Sequence, residues 1–246
     1  MVVLLALGLT IPTLAFVQPA AQAATCSSGS TTNTASLYWR ETTKYGDRDT
    51  DVYHIQHVRE LQYRLKRAGL FTSYKPTGSF YSYTKSELIK FQKRYNLCAT
   101  GVADQKTWQV LIQKTTKGFG RVPARCKGTG WWVCYDRTLH ELFAYRDGKI
   151  RNVWLVRGGI YSLPTRTGTF RVYAKYAYKL SSTYGTPMYY FQKFNGGQGF
   201  HGSYTMMDPF VGHSHGCINM YIEDSRVLWN LTIGYYSRVS VYGAWS

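Results

Sequence analysis

The spacing of apolar positions divides the chain into two parts with different periods. From Val52 the repeat is helical: Val58, Leu61, Leu65 and Ala68 recur at three- and four-residue steps, and Gly69 ends the run. A second helix is predicted from Thr84, where Thr84-Lys85-Ser86-Glu87 fits a capping box, with Leu88, Phe91 and Tyr95 on its apolar face. A third, shorter helix takes Asp104 as its N-cap and buries Trp108 and Leu111. The approaches to the second and third helices echo one another, Thr77-Gly78-Ser79 against Thr100-Gly101-Val102. Residues 52–115 therefore read as one small three-helix domain. A basic connector follows over 116–126, and the period then drops to two. Trp131 to Tyr135 begins a strand, and Leu139–Arg146 and Lys149–Val156 flank Asp147-Gly148, the pair that suits a type I′ hairpin turn. Gly168 to Tyr178 and Arg238 to Tyr242 read as further strands, Gly196-Gly197-Gln198-Gly199 as a turn, and Ile222 to Leu231 as one short helix. The prediction is a multidomain α and β chain, with a three-helix domain followed by a mostly-β domain over 127–244.

The first residues change the picture of where such a chain works. Val2 to Val17 is apolar apart from Thr10 and Thr13, and Ala21-Gln22-Ala23 follows, which reads as a signal peptide over 1–23. Residues 24–51 are Ser/Thr-rich and read as a polar lead-in. No later segment is apolar enough to span a membrane, so the expectation is an exported chain without stable membrane insertion after cleavage. Lys and Arg outnumber Asp and Glu by 30 to 13, a formal charge of +17, which predicts an anionic partner. No basic block of five or more residues appears, which disfavours a nucleic-acid arm.

Five cysteines in an exported chain leave one odd. Cys126 and Cys134 flank Gly128-Thr129-Gly130 and suit a short disulfide loop; Cys26 and Cys98 would then pair, leaving Cys217 as the free thiol. Cys217 is also the cysteine that lies among histidines, His201, His213 and His215. A thiol becomes a nucleophile when a neighbour takes its proton, and an imidazole does so. His215 is two residues from Cys217, whereas His201 can reach it only if the intervening loop returns. Gly216 leaves the backbone N–H groups around Cys217 open, which suits an oxyanion hole. Zinc is the rival for the same residues, with Asp208 as the one nearby carboxylate. His54, His57 and His140 read as solvated or local polar residues.

Two resemblances give these residues a context. Val58-Arg59-Glu60-Leu61-Gln62-Tyr63-Arg64-Leu65, Phe91-Gln92 and Thr100-Gly101-Val102-Ala103-Asp104-Gln105-Lys106-Thr107-Trp108 resemble the small peptidoglycan-binding domain of bacterial wall enzymes. His201-Gly202, a loop, and then Ser214-His215-Gly216-Cys217-Ile218-Asn219 resemble the signature of the L,D-transpeptidase family, with support from Thr165-Arg166-Thr167-Gly168-Thr169-Phe170 and Ser182-Thr183-Tyr184-Gly185-Thr186-Pro187-Met188. That resemblance implies Cys217 as nucleophile, His201 as proton acceptor and donor, the backbone of Gly202 as its orienting group, and parts for His215 and Gly216. It implies substrate contacts from Ser214, Asn219, Gly197 and Tyr189, with no cofactor and no metal. The implied partners are peptidoglycan stem peptides and glycan, with anionic wall polymers retaining the cationic chain. The implied reaction is acyl transfer from a stem tetrapeptide with release of D-alanine, giving a 3→3 cross-link, or hydrolysis if water accepts. A zinc wall peptidase or amidase and a non-catalytic wall-binding protein are the alternatives.

Overall fold

The computed structural model describes residues 33–246; the expected signal segment and Cys26 lie outside them. Three helices come first, α1 (Val58–Arg67), α2 (Ser82–Arg94) and α3 (Gln105–Thr115). Two short 3₁₀ turns (Gly118–Gly120 and Ala124–Lys127), nine strands and one further α-helix follow among the described residues. One sheet has the order β3-β2-β1-β9-β4, from β1 (Trp131–Asp136), β2 (Glu141–Arg146), β3 (Lys149–Leu155), β4 (Gly168–Arg171) and β9 (Arg238–Tyr242). The other has the order β5-β6-β7-β8, from β5 (Ala174–Leu180), β6 (Pro187–Asn195), β7 (Gln198–Gly202) and β8 (Ile218–Met220), with α4 (Ile222–Leu231) after it. No helix among the described residues is long and apolar enough to cross a membrane.

The five-stranded sheet is a middle layer with two apolar faces. Trp131, Val133, Tyr135, Leu142, Ala144 and Trp154 form one core with Phe200, Ile218 and Met220 of the second sheet and Val227 and Leu228 of α4. Their neighbours Trp132, Cys134, Phe143, Tyr145 and Val153 point the other way, into the core that holds Leu61, Leu65 and Trp108 of the helices. Side chains alternate across a strand, so a strand covered on both faces reads as the unbroken run Trp-Trp-Val-Cys-Tyr.

Helix ends are set by contacts remote in sequence. Helix α1 starts at Val58, later than the helical period begins, because Asp49 caps it, accepting from the N–H groups of Val58 (3.1 Å) and Arg59 (2.6 Å). Helix α2 starts at Ser82, and the expected cap residue Thr84 lies inside it; its hydroxyl accepts from Gln62 Nε2 at 3.0 Å. Asp104 caps α3 as predicted, accepting from Thr107 N–H at 2.8 Å. The echo between the two Thr-Gly segments has a physical basis. Gln62 Oε1 accepts from Thr77 and Gly78 N–H, and Gln92 Oε1 accepts from Gly101 N–H, so one glutamine on each preceding helix holds the turn that follows it.

Three expectations need correction. Residues 168–178 do not form one strand: β4 belongs to the first sheet and β5 to the second, the chain crossing between them at Val172 and Tyr173. The described part of the polar lead-in is built into the core, with Trp39 and Arg40 both buried. His57 is fully buried, not solvated, its Nε2 3.1 Å from Asp224 of α4. It sits beside an ion network in which Glu60 takes Arg40 (2.7 and 2.9 Å) and Arg64 (2.7 Å), while Arg40 also donates to Asn152 and the Val153 carbonyl. The Asp224 carboxylate lifts the His57 pKa to about 9 against the opposing effect of burial, and Arg40 with Arg64 holds the Glu60 carboxyl well below its ordinary range.

Candidate active site

Strand register brings the reactive residues together. β7 and β8 run parallel with Phe200 opposite Ile218 and His201 opposite Asn219. Phe200, Ile218 and Met220 point into the core between the sheets, so His201 and Asn219 point to the opposite face. Cys217 lies two residues before Asn219, at the mouth of β8, and the backbone of Gly199 bonds its thiol there. Thiol and imidazole are thus delivered to one sheet face on adjacent strands, two residues apart in register. The pair is separated in sequence by a loop, residues 203–213, that leaves β7 and returns to β8.

His201 is buried, and its Nδ1 lies 3.0 Å from the carbonyl of Gly202. A carbonyl only accepts, so Nδ1 carries the proton and Nε2 is left as the acceptor. Burial, with a smaller push from the Arg157 charge, lowers the His201 pKa to about 4. Burial also pushes the Cys217 thiol up from its ordinary 9.0, and the thiol donates to the carbonyl of Gly197 at 3.6 Å. Both groups are therefore neutral near pH 7.

The turn before the sulfur is held by its own backbone and by glycines that allow close approach. Ser214 Oγ donates to the Cys217 carbonyl (2.6 Å) and accepts from Gly216 N–H (3.0 Å). Its hydroxyl braces the turn. Gly216 N–H is engaged there, which removes it as a free oxyanion donor. Gly216 has φ 117°, and a Cβ on it would lie 2.5 Å from Gln198 Nε2. The side chain of Gln198 is itself fixed, donating to Pro164 O and accepting from Arg166 N–H.

The other expected residues are placed as follows. His215 is exposed and stacks on Tyr184, with ring centroids 4.3 Å apart. His213 leans on Trp245 at 5.5 Å. Among the described residues, His201, His213, His215 and Cys217 do not gather donor atoms around one point; the groups that do are Glu41, His54 and Glu223, and the buried His57, Glu60 and Asp224. Arg40 and Arg64 already occupy the Glu60 carboxylate in the second group. Gly202 packs against Ile222 at the start of α4, where a Cβ would come within 2.7 Å of its backbone. Tyr189 sits against Tyr53 and Tyr178, at 5.8 and 5.4 Å. Cys126 and Cys134 are bonded, Cys98 is also disulfide-bonded, and Cys217 is the free cysteine among the described residues.

Sequence reasoning missed Arg157 and Gly159. The backbone of Arg157 pairs with Asn219 in both directions (3.1 and 2.9 Å), extending the row from His201 through Asn219. Gly159 lies under the nucleophile turn; a Cβ there would be 2.1 Å from Leu163 O and 2.8 Å from Gly216. The signal was present as Gly158-Gly159 at a strand end, where adjacent glycines mark close backbone approach.

The chain is similar to known proteins. Residues 130–239 match the family model described as "L,D-transpeptidase catalytic domain", and residues 55–111 match the one described as "Putative peptidoglycan binding domain". An L,D-transpeptidase from Stackebrandtia nassauensis is 26% identical with a TM-score of 0.51, the match covering 85% of this chain and 98% of that one. One from Xylanimonas cellulosilytica is 24% identical with a TM-score of 0.47, covering 83% and 98%. No curated protein matches the chain. The chain therefore carries an L,D-transpeptidase catalytic domain over residues 130–239, preceded by a domain of the peptidoglycan-binding family over residues 55–111.

Proposed function

We propose that this chain is an exported, wall-associated L,D-transpeptidase that works through a cysteine acyl-enzyme. The observation that supports the reading is the delivery of Cys217 and His201 to one sheet face on adjacent strands, with His201 Nδ1 tied to Gly202 O and Nε2 left to accept a proton. Cys217 attacks the carbonyl between the third residue of a stem tetrapeptide and its terminal D-alanine, and the thiol proton passes to His201 Nε2. Collapse of the tetrahedral intermediate breaks the C–N bond, and His201 returns the proton to the departing amine of D-alanine. The side-chain amine of a second stem peptide then attacks the thioester, loses a proton to His201 and releases the thiol as the 3→3 link forms. Water in place of that amine gives the tripeptide. With Gly216 N–H engaged by Ser214, the N–H of Cys217 itself is the donor assigned to the developing oxyanion. The charge of +17 favours retention among anionic wall polymers, weakening as salt is raised.

The test is incubation with a disaccharide-tetrapeptide, followed by mass analysis for D-alanine, cross-linked dimer and tripeptide. Wild type should release D-alanine and Cys217→Ala should not, with EDTA without effect. Turnover that survives Cys217→Ala, or that EDTA abolishes, would overturn the cysteine mechanism.

A further inference from the structure

The loop between the two reactive strands is gripped from outside the catalytic domain. Residues 203–213 join His201 on β7 to the turn that carries Cys217. From one side, α1 of the helical domain reaches it. Arg59 Nη1 donates to Met207 O at 2.8 Å, and its Nε lies 3.4 Å from Asp208. The Tyr63 hydroxyl lies 3.0 Å from both Asp208 oxygens, its ring meets Phe210 edge-on at 4.6 Å, and the Arg67 guanidinium lies over that same Phe210 ring at 5.8 Å. Asp208 in turn accepts from Phe210 N–H, so the helix grips a formed turn.

From the other side, Arg157 holds the same loop. Its Nη1 donates to Val211 O at 3.1 Å and its Nη2 to Thr205 Oγ1 at 2.7 Å. The Arg157 backbone is paired to Asn219, which stands opposite His201. A physical path therefore runs from α1 through Met207–Phe210 to Arg157 and into the row that carries the imidazole. The loop's backbone bonds to itself are few and include Met206 N–H to Ser203 O and a long one, 3.4 Å, from Val211 N–H to Asp208 O. Met206 is buried with Ile55 and Tyr221, and the two grips fix the loop on either side of that anchor.

We propose that helix α1 is a positioning element for the catalytic loop, with Arg59 and Tyr63 as positioning residues, so that the transferase site takes its working geometry when the helical domain is docked on it. The proposal rests on the reading of Cys217 and His201 as the reacting pair. It makes the peptidoglycan-binding-family domain part of the site's construction as well as a means of attachment.

The experiment uses the full chain with Arg59→Ala/Tyr63→Ala, Asp208→Asn, and Tyr63→Phe. Asp208→Asn keeps an oxygen to accept from Tyr63. Tyr63→Phe keeps the ring on Phe210 and loses only the two bonds to Asp208, and serves if the double variant does not fold. Amide exchange over 203–213 should accelerate about tenfold or more in the double variant while β1 is unchanged. Alkylation of Cys217 by iodoacetamide should rise about fivefold as the loop loosens. The kcat for D-alanine release should fall about tenfold with KM within about twofold. Asp208→Asn, which keeps one acceptor for Tyr63 and removes the charge facing Arg59, should shift all three in the same direction and by less than the double variant. A lower melting temperature with loop exchange and alkylation unchanged would overturn the proposal, making the contacts domain adhesion only. A looser loop with unchanged alkylation would overturn it too. Exchange and alkylation need no substrate, so a chain that shows both shifts but releases no D-alanine would sink the transpeptidase reading and leave the clamp standing.

Discussion

The protonation state of the resting pair makes the sharpest prediction. Burial holds the His201 pKa at about 4 and the Cys217 pKa above 9.0, a gap of five units or more in the direction that opposes ion-pair formation. Moving the proton from sulfur to imidazole in the free enzyme then costs about 7 kcal/mol before the charges attract each other, at about 1.4 kcal/mol per unit. Attraction in close contact, at about 4 Å and an effective dielectric of about 20, returns at most about 4 kcal/mol. The ion pair stays about 3 kcal/mol uphill, under about 1% of molecules. Transfer to His201 therefore accompanies attack on a bound carbonyl and does not precede it. The assay is the rate of Cys217 alkylation by iodoacetamide from pH 5 to 10. It should climb about tenfold per pH unit through pH 9 without levelling, and His201→Gln should keep that shape while losing about 10²- to 10⁴-fold in acyl transfer. A wild-type plateau between pH 5 and 8 that vanishes in His201→Gln would reveal a preformed thiolate–imidazolium pair and refute the reasoning.

Other outcomes follow from the same contacts. His201 is held neutral in the fold, so on acidification the unfolded chain takes its proton first, from pH 6.5 downward, and stability falls until pH passes below about 4. Wild type should lose about 3 kcal/mol more than His201→Gln across that window in urea titrations, and parallel pH curves would refute this. Glu60→Gln leaves the buried Arg64 guanidinium without its counter-charge and Arg40 with only the more distant Asp224; it should cost about 3–5 kcal/mol by chemical denaturation, and a loss below about 1 kcal/mol would show that the network carries little. Gly159→Ala would place a Cβ 2.1 Å from Leu163 O, beside the nucleophile turn. It should lower acyl transfer at least about tenfold while costing about 1–3 kcal/mol of stability, and wild-type turnover would show that the segment gives way without moving Cys217.

Local chemistry was legible in the sequence and long-range support was not. Asp147-Gly148 forms the predicted hairpin because both residues take positive φ, 49° and 75°. Asp104 caps its helix because its partner is only three residues on. Thr84 looked equally good as a cap, but its hydroxyl serves Gln62, a partner that no local window contains. Strands β6 to β8 were missed because their alternation is broken: Tyr190 has φ 54° inside β6, with a register shift between Tyr189 and Gln192, and β8 has three residues. In the site, the Cys217 motif and His201 were readable as chemistry. Ser214 and His215 were not assigned their actual contacts because Gly216, at φ 117°, breaks the extended period that would have set their directions. Arg157 and Gln198 act only through the folded chain, on Asn219 and Gly216.

The middle sheet explains why the helical domain can take part in building the site. A peptidoglycan-binding-family domain joined by a flexible tether would leave the outer faces of β1 to β3 polar, as a solvated sheet face is. Here that face carries Trp132, Phe143, Tyr145 and Val153, all in one core with the helices. Arg40, from the segment before α1, bonds at once to Glu60 on α1 and to Asn152 and Val153 O on β3. Asp224, at the start of α4 directly after β8, holds His57 immediately before α1. Undocking would expose the apolar face to water and strand buried charges on both sides, so the helices are seated against the catalytic sheet as part of folding. Once seated, α1 lies where Arg59 and Tyr63 meet Met207 and Asp208. The same docking that covers the sheet thereby sets the loop between the imidazole and the thiol.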